Sequence, residues 1–170
     1  YYAEHLIMAT PDNGVAAMFY SSSESKIKVG KGDSVVISET TNYPFDEDIA
    51  FEVKTDKPVD FPFYFRVPSW ADSATVMVNG QPIATANAKG KFIRITKTWK
   101  SGDKVTLKLP MKISVRTWVS NKSFASVNYG PLTYSLKIKE EYRQMDGQQT
   151  AQWDAKWREN VDHTKWPSFE

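Results

Sequence analysis

FPFYFRVPSWA (residues 61–71) decides how the rest of this chain reads. Phe61, Phe63, Phe65 and Val67 alternate with Pro62, Tyr64, Arg66 and Pro68, the period-two pattern of an extended strand with one apolar side. On that reading Tyr64 belongs to the outer side, and Pro68 aims the chain away from the strand before Trp70. Both rings are therefore candidate contacts for a partner surface or a carbohydrate, with docking the more economical use of an amphipathic indole.

The same alternation recurs on either side of this stretch. Short strands are predicted near 15–20, 25–29, 34–40, 49–54, 74–79, 91–96, 104–109, 112–119, 123–128 and 131–138, with turn residues such as Gly32-Asp33, Asp46-Glu47, Asn79-Gly80, Lys89-Gly90 and Ser101-Gly102-Asp103 between many of them. Ile49, Phe51 and Val53 share one side, as do Ala74, Val76 and Val78, then Val105, Leu107 and Leu109, and Leu132, Tyr134, Leu136 and Ile138. Each set is expected to face a core between two sheets. The Asn79-Gly80 pair in VMVNGQPI marks a tight hairpin, because both positions tolerate positive φ. The fold class predicted is all-β, a jelly-roll-like β-sandwich, with short helical pieces at the N-terminus and in the C-terminal tail.

The ends read differently. YYAEHLIMA resembles the last turn or two of a helix broken by TPDNG, and QQTAQWDAKWREN places Trp153 and Trp157 four apart, as on one face of a short helix. The expected organisation is residues 1–14 as a preceding helix end and linker, 15–139 as the sandwich, and 140–170 as a tail. An opening without an initiating methionine predicts a segment of a larger protein.

At 170 residues the chain is long enough to bury roughly 70% of its unfolded surface. Twenty-two Lys and Arg against twenty Asp and Glu give a net charge of +2, with the signs interspersed. That pattern argues against a nucleic-acid partner, and no membrane span is visible. With no cysteine, and with His5 and His163 far apart, neither a disulfide nor a zinc site is expected in this chain. TPDNG and FDEDI contain oxygen ligands, so calcium stays open, although both are ordinary turn sequences. Asp46, Glu47 and Asp48 are the densest carboxylate cluster and are expected to be solvated. No catalytic pair or nucleophile can be assigned. Six Trp, eight Tyr and nine Phe are enough for a sugar-stacking platform, but Phe51, Phe63, Phe65 and Tyr134 fall on inward positions, while Trp99 and Trp118 lie at strand ends where an indole can cap a core.

TNYPFDEDIAFEV, FPFYFRVPSWA, ATVMVNGQPI, KFIRITKTWKSGDKVTLKLPM and YGPLTYSL together resemble the β-sandwich region that follows the catalytic barrel in glycoside hydrolase family 127, the β-L-arabinofuranosidase group. The resemblance runs from residue 1 to about 138. It implies an accessory domain whose partner is an (α/α)₆ barrel carrying a cysteine nucleophile and a zinc ion. Without a cysteine, none of those positions transfers to this chain. It further implies a parent acting on plant-type polysaccharide and placed in the periplasm or outside the cell, and a chain that is not itself catalytic. A carbohydrate-binding module is the alternative.

Overall fold

In a computed structural model that describes residues 2–141 and, beyond them, the strand pair Gln144–Met145 and Ser168–Phe169, the quoted phenylalanines lie on the inner side of β6 (Val59–Arg66). Strands are numbered along the chain. A four-stranded sheet has the order β1 (Ile7–Ala9), β2 (Val15–Ala17), β6 and β9 (Phe92–Trp99); β2 and β6 run parallel and the other pairs antiparallel. A six-stranded antiparallel sheet has the order β3 (Ser23–Val29), β4 (Asp33–Thr41), β5 (Asp48–Thr55), β10 (Asp103–Lys108), β7 (Ala74–Val78) and β8 (Gln81–Ala86).

The two sheets bury their apolar sides against each other. Phe51 of the six-stranded sheet stands 5.6 Å from Phe63 and 5.5 Å from Phe65 of the four-stranded one, ring centre to ring centre. Trp99 closes this layer against Phe61 and Phe63, and its indole N–H donates to the Phe61 carbonyl at 2.9 Å. Ile37, Ile49, Val53, Val76, Val105 and Leu107 complete the same core. Burying each such side chain stabilises the fold by about 1.5–3 kcal/mol relative to exposure.

A third, three-stranded antiparallel sheet follows: β11 (Ile113–Trp118), β12 (Phe124–Tyr129) and β13 (Leu132–Tyr134). The chain divides into one unit of residues 1–135 and another of 136–170. Within the second, Gln144–Met145 (β14) pairs antiparallel with Ser168–Phe169 (β15). The helix expected around Trp153 and Trp157 lies outside the described residues.

Several expectations are corrected. The opening forms a single 3₁₀ turn, Ala3–His5, and then strand β1, because Ile7–Ala9 finds backbone partners in Val15–Ala17. Gln81–Ala86, the return strand of the Asn79-Gly80 hairpin, is an edge strand exposed along most of its length, so it carries no apolar alternation. Leu132 and Tyr134 share a side as expected, but in the three-stranded sheet and outside the sandwich core; Tyr134, Leu136 and Ile138 are exposed. Period two shows which residues share a face, and the covering surface is a separate matter. Trp118 is likewise exposed, with the Arg116 guanidinium 3.7 Å from its ring centre, whereas Trp99 is fully buried.

Two local features carry measurable consequences. Gly14 closes the turn between β1 and β2, where a Cβ would lie 2.3 Å from the Pro62 carbonyl oxygen and 2.6 Å from the Pro62 ring. Gly14→Ala is expected to lower the unfolding free energy by about 3 kcal/mol in urea melts without changing the denaturant slope. A loss below about 1 kcal/mol would contradict the close approach.

Asp103, nearly buried at the start of β10, accepts from Asn79 Nδ2, Lys97 Nζ and the Lys100 N–H at 2.8, 2.8 and 2.9 Å. Burial opposes its charge, but bonds from Lys97, Asn79 and Lys100 outweigh that effect and hold its pKa below the ordinary 3.8. Asp103→Ala is expected to cost about 2 kcal/mol at neutral pH, since three donors lose their acceptor. Because the folded pKa is depressed, the carboxylate's stabilisation is complete above 3.8 and disappears as pH falls through the lower folded value. Urea melts of both proteins at pH 7 and in strong acid measure this convergence.

Candidate docking interface

Tyr64 projects from the outer side of β6, opposite the phenylalanines, and is held rigidly there. Its hydroxyl donates to Asp12 Oδ2 at 2.5 Å. Arg94, its register partner on β9, places a guanidinium 5.7 Å from the ring centre and 3.7 Å from the same carboxylate. Asp12 also accepts the Thr10 hydroxyl, and the Thr10 Oγ1 in turn accepts the Gly14 N–H at 3.0 Å. The bonds from Thr10 and Tyr64 lead in holding the Asp12 carboxyl below its usual pKa, with the Arg94 charge adding to them. TPDNG is thus a clamp that fixes an aromatic ring on the outer face of the sheet.

Beside that ring lies an open groove of about 410 Å³ lined chiefly by Met8, Ala16, Met18, Tyr64 and Phe92. Met8 and Phe92 are exposed, so a largely apolar strip crosses all four strands of this sheet on the side away from the core. Arg66, two residues beyond Tyr64, donates from Nε to the Met18 carbonyl at 2.6 Å and lies over Phe19. This pins one end of the groove.

Trp70 occupies a different place. The turn closed by Ala71 N–H on the Pro68 carbonyl brings the indole onto Tyr43, with ring centres 6.4 Å apart and planes 21° from parallel. It packs partly against the core and borders a depression of about 280 Å³ shared with Asp72, Lys89, Lys112 and Ser114. Asp72 forms ion pairs with both lysines. Bonds from Lys112 and Lys89 lower its pKa. Tyr64 and Trp70 therefore line two separate depressions.

A further apolar face, which includes Leu132 and Tyr134 expected in the core, is open. Cross-strand pairing puts Ile113, Val115, Val127, Tyr129, Leu132 and Tyr134 on one side of the three-stranded sheet. Ile113 is 72% and Val115 64% exposed, where a sandwich strand would bury such residues. Alternation in 112–119 and 131–138 was the available signal. It could not show that the face is open.

The acidic cluster is occupied by structural contacts. Glu47 accepts the Met111 N–H at 2.7 Å and lies 3.7 Å from Lys108, which also approaches Asp48; Asp46 accepts the Glu47 N–H. Neither depression described above is lined by two carboxylates. Among the described residues no three His, Asp or Glu side chains converge as metal ligands, and no cysteine is present to supply the thiolates of the implied zinc centre. Among the same residues, no helix is long and apolar enough to cross a membrane.

Comparison with solved structures finds the same fold within longer chains. The chain is similar to a GH127 beta-L-arabinofuranosidase from Geobacillus stearothermophilus T6, at 25% identity and a TM-score of 0.68, covering 76% of this chain and 21% of that one. It is similar in fold to a glycoside hydrolase at 23% identity, TM-score 0.67, covering 75% and 22% of the two chains. A GH127 beta-arabinofuranosidase gives 21% identity, TM-score 0.63 and coverage of 73% and 22%. The chain thus spans about a fifth of the length of these enzymes. No curated protein matches it in sequence. Residues 14–111, which hold both sandwich sheets except β1, match the family described as Beta-L-arabinofuranosidase, GH127 middle domain, and the chain belongs to that family.

Proposed function

We propose that this chain is a non-catalytic accessory domain that packs on an (α/α)₆ catalytic barrel of the same glycoside hydrolase, with the groove beside Tyr64 as its docking surface. The observation that carries this reading is the outward apolar strip of Met8, Ala16, Met18 and Phe92, bordered by an aromatic ring already fixed by Asp12 and Arg94. Preorganised apolar surface gains from burial without first ordering its side chains. Arabinofuranosides are the proposed substrates of the parent, supported by the family and by the name of the Geobacillus enzyme. Export to the periplasm or beyond the cell fits a substrate that is a polysaccharide.

Carbohydrate binding remains a second reading because of one place, the Trp70 depression, where an indole adjoins the polar groups of Asp72, Lys89, Lys112 and Ser114. Its weakness is that Tyr43 already stacks on Trp70, and Arg94 lies over the ring of Tyr64. Stacking a sugar requires a free ring face.

Three measurements separate these readings. The isolated chain is expected to release no aryl alcohol from aryl β-L-arabinofuranosides, and turnover abolished by one carboxylate substitution would overturn the accessory role. Phe92→Asp, at an exposed position, is expected to leave the circular dichroism of the chain unchanged and to weaken its binding to a separately produced catalytic barrel at least about tenfold. Equal binding would remove the groove as the docking surface. Tryptophan fluorescence is expected to stay constant with arabinan oligosaccharides at millimolar concentration; a saturable shift lost in Trp70→Ala would establish the second reading.

A further inference from the structure

An open sheet leaves unpaired backbone along its two outermost strands, and each such edge is a template for a further strand unless something blunts it. In the two sandwich sheets all four edges are blunted, each by a different means. β1 is three residues long. β3 carries Lys26 and Lys28 exposed on its outer side. β8 contains Pro82, and its register with β7 shifts between Val76 and Met77. β9 turns Lys97, opposite Phe61, toward the core, where its ammonium reaches Asp103 at 2.8 Å.

The three-stranded sheet differs. Its β13 edge is short and follows directly on Pro131. β11, Ile-Ser-Val-Arg-Thr-Trp, has six residues without proline, glycine or lysine. Its single charge, Arg116, is folded over the Trp118 ring on the side opposite Ile113 and Val115. All six residues are exposed, and among the described residues no strand pairs with the outer edge.

The pairing with β12 fixes which backbone groups face that edge. Gly130 N–H donates to the Lys112 carbonyl at 3.3 Å, one step beyond the register pair Ile113 and Tyr129. Hydrogen-bonded and non-bonded pairs alternate along an antiparallel ladder. Ser114, Arg116 and Trp118 therefore direct their backbone groups to β12, while Ile113, Val115 and Thr117 direct N–H and C=O outward. The same three residues carry their side chains on the apolar face. A strand added here would meet three donors and three acceptors in one row.

We propose, on the reading of the chain as one domain of a longer glycoside hydrolase, that the open edge of β11 receives a β-strand from the part of that enzyme outside this chain. The incoming segment is extended, with an apolar residue at every second position to continue the face of Ile113 and Val115. A ladder over residues 113–117 is about 17 Å long and about 10 Å thick. That is well under the roughly 800 Å² per side that a free partner needs. A strand of the same polypeptide escapes this limit, because the connection holds it at a millimolar effective concentration. The chain spans about a fifth of the enzymes it is similar to, which leaves ample sequence to supply such a strand.

Amide hydrogen exchange, resolved by residue in the isolated chain and in the full-length parent, tests this. In the isolated chain Ile113, Val115 and Thr117 are expected to exchange without protection, and Ser114, Arg116 and Trp118 more slowly. In the parent the first three are expected to slow at least about tenfold. The alternation is the signature, since cover by a docked surface slows neighbouring amides alike. Equal rates in the two proteins overturn the proposal, as does protection of Ile113, Val115 and Thr117 already in the isolated chain at any concentration. Val115→Pro removes an edge donor that β12 does not use. In the parent it is expected to return Ile113 and Thr117 to fast exchange while Ser114 and Trp118 stay protected; slow exchange at Ile113 and Thr117 in this variant removes the strand. Should the variant fail to fold, the wild-type alternation decides. Fast exchange at the three edge amides in a parent whose barrel still binds through the groove of Tyr64 and Phe92 removes the added strand alone. Loss of that binding as well removes the accessory reading.

Discussion

The contact between Phe51 and the pair Phe63 and Phe65 fixes every other position in the sandwich. These rings come from different sheets and meet at 5.6 and 5.5 Å, so each sheet has only one side available to the other. With the odd-numbered residues of β6 committed inward, Tyr64 and Arg66 must point outward. A slip of one residue would send Phe61, Phe63 and Phe65 into water at a cost of about 1.5–3 kcal/mol each. The outer groove is therefore a consequence of core packing. Tyr64 is held by Asp12, but it is aimed by its neighbours.

Polar groups in this domain follow the same accounting with opposite outcomes. Asp103 and Glu39 are both buried acids on the six-stranded sheet. Asp103 receives three hydrogen bonds, one of them from an ammonium 2.8 Å away, and its charged form wins despite burial. Among the described residues Glu39 receives one hydrogen bond and no ion pair, and burial favours its neutral form. Desolvation opposes ionisation at both sites; it prevails at the more deeply buried Glu39, and the donors converging on Asp103 prevail there.

Much of this architecture was legible because local pattern and tertiary demand agree. FPFYFRV, FEV, VMV and VTLKL alternate as half-buried strands do, and Asn79-Gly80, with φ of 51° and 80°, is the hairpin turn that its residue types suggest. The misread parts depend on pairing partners and covering surfaces that alternation does not show. Ile7–Ala9 is a strand because Val15–Ala17 lies beside it, and Leu132 and Tyr134 share a face whose neighbours are Tyr129 and Val127. The outward direction of Tyr64 followed from alternation, but its clamp comes from Asp12, 52 residues earlier in the chain. Glu39 in VVISETT sat in register with Val35 and Ile37, so its burial was readable there. Its missing partners were not.

The open faces also constrain how docking would work. The apolar side of the three-stranded sheet spans roughly 240 Å², from strands about 4.8 Å apart with six, six and three residues of about 3.3 Å each. A free partner needs roughly 800 Å² from each side for a stable complex. A patch of that size retains its partner when both belong to one polypeptide, because a short connection sets an effective concentration in the millimolar range. The Tyr64 groove is subject to the same limit. For a chain that spans about a fifth of the enzymes it is similar to, the docking proposed above would rest on several small, rigid apolar surfaces: each binds weakly by itself, and together they would orient a neighbour in the same polypeptide.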